Sequence, residues 1–149
     1  MAGGKAATFE NQLLKLLFQG VTIPGIADNT ATTPATVLSV ALHTADPGVG
    51  GNQSNSEAAY TGYARQAVAR TSSGWTVTGN ACSPATPVTF PSATGGTETE
   101  TFFSIAVPSG GSGLTGPLVI MYRGPLSPNV AVSSGVTPQL TTATTITES

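Results

Sequence analysis

His43 is the residue through which hydrolase or histidine-metal chemistry would have to run, because the chain has a single histidine. Asp46 follows three residues later across a turn, and serines are plentiful. A Ser-His-Asp triad is defined by geometry, however, and no G-x-S-x-G nucleophile elbow accompanies these residues. We therefore predict that His43 ends a strand and hydrogen-bonds to the following turn, with Asp46 as a turn former.

Glu98 and Glu100 form the second candidate for chemistry, a pair of carboxylates on one strand face. A rise of about 3.4 Å per residue places them roughly 7 Å apart. Carboxylates at such a distance can cleave a glycosidic bond. No separate sugar-binding motif supports that activity, and adjacent glutamates on a strand are more typical of a solvated face or a protected sheet edge. We therefore predict that Glu98 and Glu100 lie on a solvated face or at a protected sheet edge.

Metal and cofactor signals are weak along the whole sequence. Asp28 and Asn29 lie in a Gly/Pro/Asn-rich segment without the alternating carboxylates of a calcium loop, so a turn is predicted. The glycines between Gly48 and Gly51 have no lysine and no following helix, as a phosphate-binding loop would require. Cys82 is the only cysteine, which excludes an internal disulfide and predicts a small buried side chain. No cofactor and no metal are expected.

Four aromatic residues can be considered as a platform for carbohydrate, since aromatic rings combine apolar faces with a polar tip. They are Trp75, Tyr60, Tyr63 and Tyr122. A tryptophan on a short strand is more often part of the core, and Trp75 is predicted there. Nothing in these patterns requires catalysis, and the protein is predicted not to be an enzyme.

The composition indicates a folded protein with a charge-poor surface. Charged residues make up 8% of the 149, against roughly 25% in an average globular protein. Disorder is not expected, because hydrophobic residues reach 39% and the net charge is only -2. Interface cores are depleted in charge, so the deficit predicts contact with other subunits. A β-protein with hydroxyl side chains on its surface explains it equally well, and the two explanations are compatible.

The same counts argue against several partners and locations. Five basic residues against seven acidic ones give no electrostatic footprint for nucleic acid. No apolar run approaches the roughly 20 residues that cross a bilayer. The first residues, MAGGKAATFENQ, lack the apolar core of a signal peptide, so synthesis and assembly in the cytoplasm are expected.

One helix is predicted near the start, at about residues 8–19. Residues 1–7 are small and polar and predict a flexible or partner-ordered arm. Thr8 is suited to cap the helix and Gly20 to end it in the left-handed conformation. An apolar stripe, which Leu14 widens, is predicted to lie at a subunit contact. It is formed by Phe9, Leu13, Leu16, Leu17 and Phe18.

The remainder predicts short strands separated by Pro, Gly and Ser. They are residues 35–43, 62–70, 74–78, 88–90, 98–107, 117–123, 129–132 and 140–147. In the fifth, the alternation places one set of residues on the core face, namely Thr99, Thr101, Phe103, Ile105 and Val107. The polar loop 44–59 exceeds the usual 4–6 residues, so it is expected to be exposed, functional or mobile. The expected fold is mainly β, a single domain over residues 8–149 forming an antiparallel β-sandwich or jelly-roll-like domain with one N-terminal α-helix.

Several sequence segments resemble those of a family of small structural proteins of tailed bacteriophages. They are LHTADPG at Leu42, GYARQAVAR at Gly62, FENQLLKLLFQG at Phe9, W-x-V at Trp75 and the closing G-x-TPQ…TTITE from Gly135. The resemblance covers nearly the whole chain and implies a virion protein. It leads us to expect a capsid decoration (cement) protein on the capsid surface, forming a homo-oligomer (dimer or trimer) that binds and stabilises the major capsid protein shell.

Two other functions remain open. The first is a tail-associated fibre or adhesin component that binds host surface glycans. Long fibres usually contain repeats or coiled coils, which this sequence lacks. The second is a glycosidase that degrades the host envelope, which is the least favoured because the carboxylate pair has no supporting motif.

Overall fold

The regular structure consists of one helix and nine strands in residues 6–23 and 33–149, the part of the chain that the computed structural model describes. The predicted mainly β fold with one N-terminal helix is confirmed. The predicted turn at Asp28 and Asn29 and residues 1–5 of the predicted arm lie outside the described residues. The elements are α1 (Ala7–Gln19), β1 (Val37–His43), β2 (Gln66–Ala69), β3 (Trp75–Thr78), β4 (Ala81–Pro84), β5 (Val88–Thr89), β6 (Glu98–Ala106), β7 (Ile120–Val132), β8 (Gln139–Leu140) and β9 (Ile146–Thr147).

The strands form antiparallel sheets whose largest member has the order β2-β1-β6-β7. A second sheet has the order β3-β4-β9, and β5 pairs with β8. The sheets share one hydrophobic core with α1. Because β1 and β6 are central strands, they are shielded on both edges, and the candidate residues that they carry lie inside the fold.

Helix α1 begins without the predicted cap. Ala6 is the N-cap residue with an extended backbone and no side-chain hydrogen bond, and the helix starts at Ala7. Thr8 is therefore inside the first turn, and its predicted capping role is wrong. The predicted end is confirmed, because Gly20 adopts a left-handed φ of 68°. The amide of Val21 then returns to the carbonyl oxygen of Lys15 at 3.2 Å.

Arg70, just after β2, closes the C-terminal end of α1. Its guanidinium donates hydrogen bonds to the carbonyl oxygens of Leu17, at 2.6 Å, and of Leu16. The last turn of α1 contains no basic residue of its own. The terminal carbonyls of a helix lack partners within it and carry partial negative charge. Arg70 thus satisfies these carbonyls and fastens the helix to the large sheet.

The face that α1 buries is not centred on the predicted stripe. Leu14 and Phe18 are fully buried. The Phe18 ring meets Trp75 edge-on with centroids 4.8 Å apart. Because 3.6 residues complete a turn, Phe9 and Leu13 lie well around the helix from this face, and both are half-buried. The apolar residues of α1 therefore divide into a core face and a second, partly exposed face.

The two faces of the large sheet differ in side-chain size. The face toward the core carries the large apolar residues, among them Leu42 of β1 and the predicted core residues Phe103 and Ile105 of β6. Thr99 and Val107, which are also predicted to face the core, are exposed. Apart from the half-buried Phe102, which pairs with His43, the opposite face carries small or polar residues, namely Ser39, Ala41 and His43 of β1 with Ser104 and Ala106 of β6. All five are fully buried, since the segment between β1 and β2 covers this second face.

Three strand predictions differ from the structure. The predicted strands 117–123 and 129–132 form one strand, β7, whose register with β6 skips residues 126–129 around Pro125 and Pro128. The predicted strand 140–147 is split into β8 and β9. Strand β4 was not predicted at all, although Gly79 and Asn80 form the two-residue loop that joins it to β3, with a φ of 59° at Gly79. A glycine first in such a loop is a known hairpin signal.

Candidate functional site

A buried polar cluster lies on the small-residue face of the large sheet. Its members are Ser39, His43, Gln53 and Ser104, and none of them has solvent-accessible surface. They come from β1, β6 and the loop that follows β1. The small residues Ala41 and Ala106 allow that loop to approach the sheet closely, so Gln53 reaches both strands.

The hydrogen-bond partners of the cluster determine which atom is the donor in each pair. His43 Nδ1 lies 2.9 Å from the carbonyl oxygen of Asn55, which only accepts, so Nδ1 carries the proton. His43 Nε2 then accepts from the Ser104 hydroxyl at 2.7 Å. Gln53 Nε2 donates to Ser104 Oγ at 3.2 Å and to the Ser39 carbonyl at 3.0 Å. The Ser39 hydroxyl completes the cluster by donating to Gln53 Oε1 at 2.7 Å.

This geometry contains a Ser-His pair but lacks the other parts of a hydrolase. The position that the carboxylate occupies in a triad is taken by a backbone carbonyl, that of Asn55. Asp46 instead accepts from the amide of Gly48 at 2.8 Å. Burial lowers the pKa of His43, which keeps the imidazole neutral. Substrate has no route to a serine without accessible surface. His43 ends β1 and Asp46 forms a turn, as predicted. The predicted hydrogen bond from His43 to that turn is wrong, because its partners are Asn55, farther along the loop, and Ser104 of β6.

The loop 44–59 is fastened at several points and does not fit the expectation of a wholly exposed or mobile segment. The amide of Gln53 donates to the Leu118 carbonyl at 3.0 Å, and the amide of Ala58 donates to the Leu42 carbonyl at 2.9 Å. Gly51 lies so close to Pro47 that a Cβ would come within 1.8 Å of the Pro47 carbonyl oxygen. Gly51 therefore allows a tight turn within the loop.

Arg65 ties the same loop to a second loop. Its Nε and Nη2 donate to the two carboxylate oxygens of Glu57 at 2.6 and 2.7 Å. Its Nη1 donates to the carbonyls of Leu114 and Gly116, both at 2.8 Å. The remaining contact of Nη2 is with Ser54 Oγ at 3.3 Å. Since a guanidinium has five N–H donors, Arg65 has none left for a ligand.

The structure contradicts the predicted solvated face for Glu98 and Glu100. Glu98 is half-buried and accepts the amides of Ala59 and Tyr60, both at 2.8 Å. Glu100 is fully buried, and neither carboxyl oxygen accepts a hydrogen bond from the described residues. Burial, reinforced by the neighbouring Glu98, raises the pKa of Glu100 to about 8. Glu100 is therefore a protonated carboxylic acid at neutral pH, enclosed in a central strand and out of reach of a glycan.

The aromatic residues do not form an exposed platform. Trp75 and Tyr60 are 1% and 3% exposed. The Tyr60 hydroxyl donates to the Pro91 carbonyl at 2.9 Å, and the half-buried Tyr63 accepts the amide of Leu42 at 3.1 Å. Tyr122 is half-buried and its hydroxyl donates to Glu148 at 2.7 Å. The prediction of Trp75 as a core residue is confirmed.

Cys82 is buried, as predicted, and burial raises the pKa of its thiol to about 12. Within the described residues, no group of three or more His, Cys, Asp or Glu side chains is arranged to hold a metal ion. No helix in the described part of the chain combines the length and apolar character that crossing a membrane requires.

The predicted contact residues of α1 divide into two groups. Phe18 is fully buried in the core of its own domain, so it cannot reach a partner while α1 stays docked. The remaining four, Phe9, Leu13, Leu16 and Leu17, are half-buried. Their predicted role in a subunit or capsid contact stays a prediction.

The surface has open grooves that carry little charge. One of about 470 Å³ lies between the irregular part of β7 and the segment 139–145, and its lining residues include Pro125, Leu126, Pro128 and Leu140 but no charged residue. Another of about 360 Å³ runs beside Val49 and the start of β7, with Arg123 as its charged residue. Such grooves suit contact with an apolar or neutral surface.

Comparison with known protein families identifies the family of this chain. A family model described as podophage GP4 fiber I protein gp80 matches residues 4–135. None of the curated proteins matches the chain. The family match covers well over half of the 149 residues and agrees with the phage resemblance of the sequence. The chain therefore belongs to the podophage GP4 fiber I protein gp80 family and is a phage structural protein.

Proposed function

We propose that this protein is a non-catalytic module of a podophage fibre, which joins neighbouring virion proteins by burying a charge-poor surface. The observation that carries the proposal is the match to a family of podophage fibre proteins. The site geometry supports the absence of catalysis. His43 and Ser104 have no accessible surface, and the donors of Arg65 are all used within the chain.

Capsid decoration is the second candidate. It is favoured by the lack of fibre-like architecture in the described chain, whose one helix has 13 residues and whose strands form a compact core. In this role the major capsid protein is the partner, and binding to the assembled shell stabilises it by mass action. Both roles require a virion protein as partner and an oligomer that follows the symmetry of its attachment point.

A phage lacking the gene separates the two candidates. If the protein is a fibre component, its loss removes fibre density and weakens adsorption to cells, while empty and filled heads keep their resistance to heat. If the protein decorates the capsid shell, the depleted particles rupture at lower temperature and adsorb normally. Restoring the protein from a plasmid is the control, and unchanged adsorption with early rupture would overturn the fibre proposal.

The non-catalytic part of the proposal has its own test. Glycan-cleaving and ester-cleaving activity of the purified protein should be absent both in the parent chain and in His43→Ala. An activity that is present in the parent and lost in the variant would contradict the proposal, provided that circular dichroism shows the variant to be folded. Glu10→Gln serves as the matched control, because Glu10 lies on the first turn of α1, away from the buried cluster.

A further inference from the structure

Glu100 of β6 is a buried acid whose side-chain oxygens receive no donor. It has no accessible surface, and neither oxygen accepts a hydrogen bond in the described part of the chain. Because a buried polar group without a hydrogen bond is costly, native structures rarely contain one. A protonated carboxyl group has an O–H donor of its own. The partner that Glu100 requires is therefore a hydrogen-bond acceptor.

Glu98 supplies that acceptor. It lies two positions before Glu100 on β6, so the two side chains are on the same face of the strand, with backbones roughly 7 Å apart. Glu98 Oε1 accepts the amides of Ala59 and Tyr60, both at 2.8 Å. A carboxylate has acceptor positions on both oxygens, so these two amides leave room for a third donor. The protonated Glu100 provides it, because the two side chains are within hydrogen-bond reach of each other.

The groups around Glu100 favour its protonated form. In the described part of the chain, the titratable side chains that face it are Glu98 on its own strand and Tyr60 on the covering segment, and neither is a cation. The Tyr60 hydroxyl is not the partner, because it donates to the Pro91 carbonyl at 2.9 Å. Burial, followed by Glu100 and Glu98, raises the pKa of Tyr60 to about 12, which places Tyr60 beside both acids. A second negative charge at this point would have no counter-charge.

We propose that Glu98 and Glu100 share one proton and form a pH-sensitive latch that holds Ala59 and Tyr60 against β6. With the proton in place, Glu100 donates to Glu98, and Glu98 keeps the negative charge that strengthens its bonds to the two amides. Loss of the proton to solvent leaves two negative charges side by side, and their repulsion turns the Glu98 carboxylate away from the amides. The end of loop 44–59 then loosens, whatever place the protein has in the virion.

The experiment is a pH titration of the purified full chain by NMR, from the ordinary glutamate pKa of 4.5 to well above 8. Carbon-13 shifts of the glutamate carboxyl groups show which acid releases a proton, and the Tyr60 amide reports the latch. The carboxyl groups of Glu98 and Glu100 and the Tyr60 amide are expected to change together in one step near pH 8. Above this step, hydrogen exchange at Tyr60 should accelerate at least about tenfold more than exchange in β1.

Two variants and a control separate the latch from the effect of burial alone. Glu100→Gln replaces the O–H donor by an amide N–H that is not lost in this range, so the Tyr60 amide should show no step and should stay protected. Glu98→Gln removes the neighbouring charge and offers Glu100 a donor, so the step should move down by about one pH unit or more. Glu10→Gln, on the first turn of α1, is the matched control and should leave the step unchanged.

Each outcome supports or overturns the latch. A common step at Glu98, Glu100 and Tyr60 that Glu100→Gln abolishes supports it. Titration of Glu100 near 4.5 would overturn it, and so would a step near 8 that the Glu98 carboxyl and the Tyr60 amide do not share. If calcium or magnesium shifts the same resonances at constant pH, the latch is also wrong, because a cation and not a proton then joins the two carboxylates. The parent titration decides alone if a variant fails to fold.

Discussion

Ser104 and His43 form a hydrogen bond of 2.7 Å between the hydroxyl and Nε2, in the interior of the protein and on the face of the sheet that carries small side chains. The same contact in a cleft would suggest a nucleophile and its base. Here Gln53 of the loop donates to the Ser104 oxygen and Asn55 of the loop accepts from His43, so the pair holds the loop to the sheet. Burial converts a catalytic pairing into a structural one.

Gln53→Ala tests this role of the cluster. The substitution leaves the Ser39 hydroxyl and Ser104 without their amide partner in a region that water does not reach, so the free energy of unfolding should fall by about 1–3 kcal/mol. The amides of loop 44–59 should also lose protection from hydrogen exchange. Urea denaturation followed by fluorescence measures the first effect. Ser54→Ala, in the exposed part of the loop, is the control, and equal losses in both variants would contradict the account.

His43 should make the protein less stable in acid. Burial lowers its pKa in the folded state below the ordinary 6.5, despite the opposing hydrogen bond to Asn55 and the nearby Glu57 and Asp46. The unfolded chain therefore takes up a proton at a higher pH than the folded chain, and stability is lost as the pH falls below about 6.5. His43→Gln should remove this part of the pH dependence in denaturation curves. An unchanged slope in the variant would show that His43 is not the responsible group.

Glu100 should make the protein less stable as the pH rises, which is the opposite of the effect of His43. Its pKa rises from an ordinary value of 4.5 to about 8 in the folded state, because it is buried and lies near Glu98. The folded chain retains a proton that the unfolded chain releases, so stability falls as the pH rises from about 4.5 to 8. One pKa unit corresponds to about 1.4 kcal/mol, which makes the loss at neutral pH roughly 3 kcal/mol.

Glu100→Gln should therefore be more stable than the parent at pH 8, with the difference shrinking toward pH 4. Thermal unfolding in buffers across this range measures it. Glu10→Gln, on the first turn of α1, is the control and should follow the parent. A variant that is destabilised at every pH would indicate that the Glu100 carboxyl has a required partner.

Arg70→Ala should loosen α1. The guanidinium satisfies the carbonyls of Leu16 and Leu17, and hydrogen bonds to a charged donor contribute about 1.5–3 kcal/mol. We expect a loss of about 2 kcal/mol in unfolding free energy and faster proteolysis near the end of the helix. Arg123→Ala, which breaks a more exposed pair with Asp46, should cost less than about 1 kcal/mol. A similar loss in the two variants would argue against the capping role.

Periodicity in the sequence predicted the fold class, the extent of α1 and the core face at Phe103 and Ile105, because these depend on local alternation. The burial of Glu100 was not predictable in this way, since it follows from the position of β6 between β1 and β7. The polar cluster was missed for a similar reason. Gln53 and Ser104 are 51 residues apart, and neither has a local pattern that indicates the other. Small residues at alternate positions of β1, Ser39 and Ala41, were the available signal of a closely covered face.

The most direct test of the proposed function is the number of copies of this protein in each purified virion. Quantitative mass spectrometry against the major capsid protein gives this number, with a portal or tail protein of known stoichiometry as the internal standard. A fibre module predicts a small number of copies, in proportion to the fibres. Copies in the hundreds, in proportion to the major capsid protein, would contradict the fibre proposal and favour capsid decoration, while absence from the particles would contradict both.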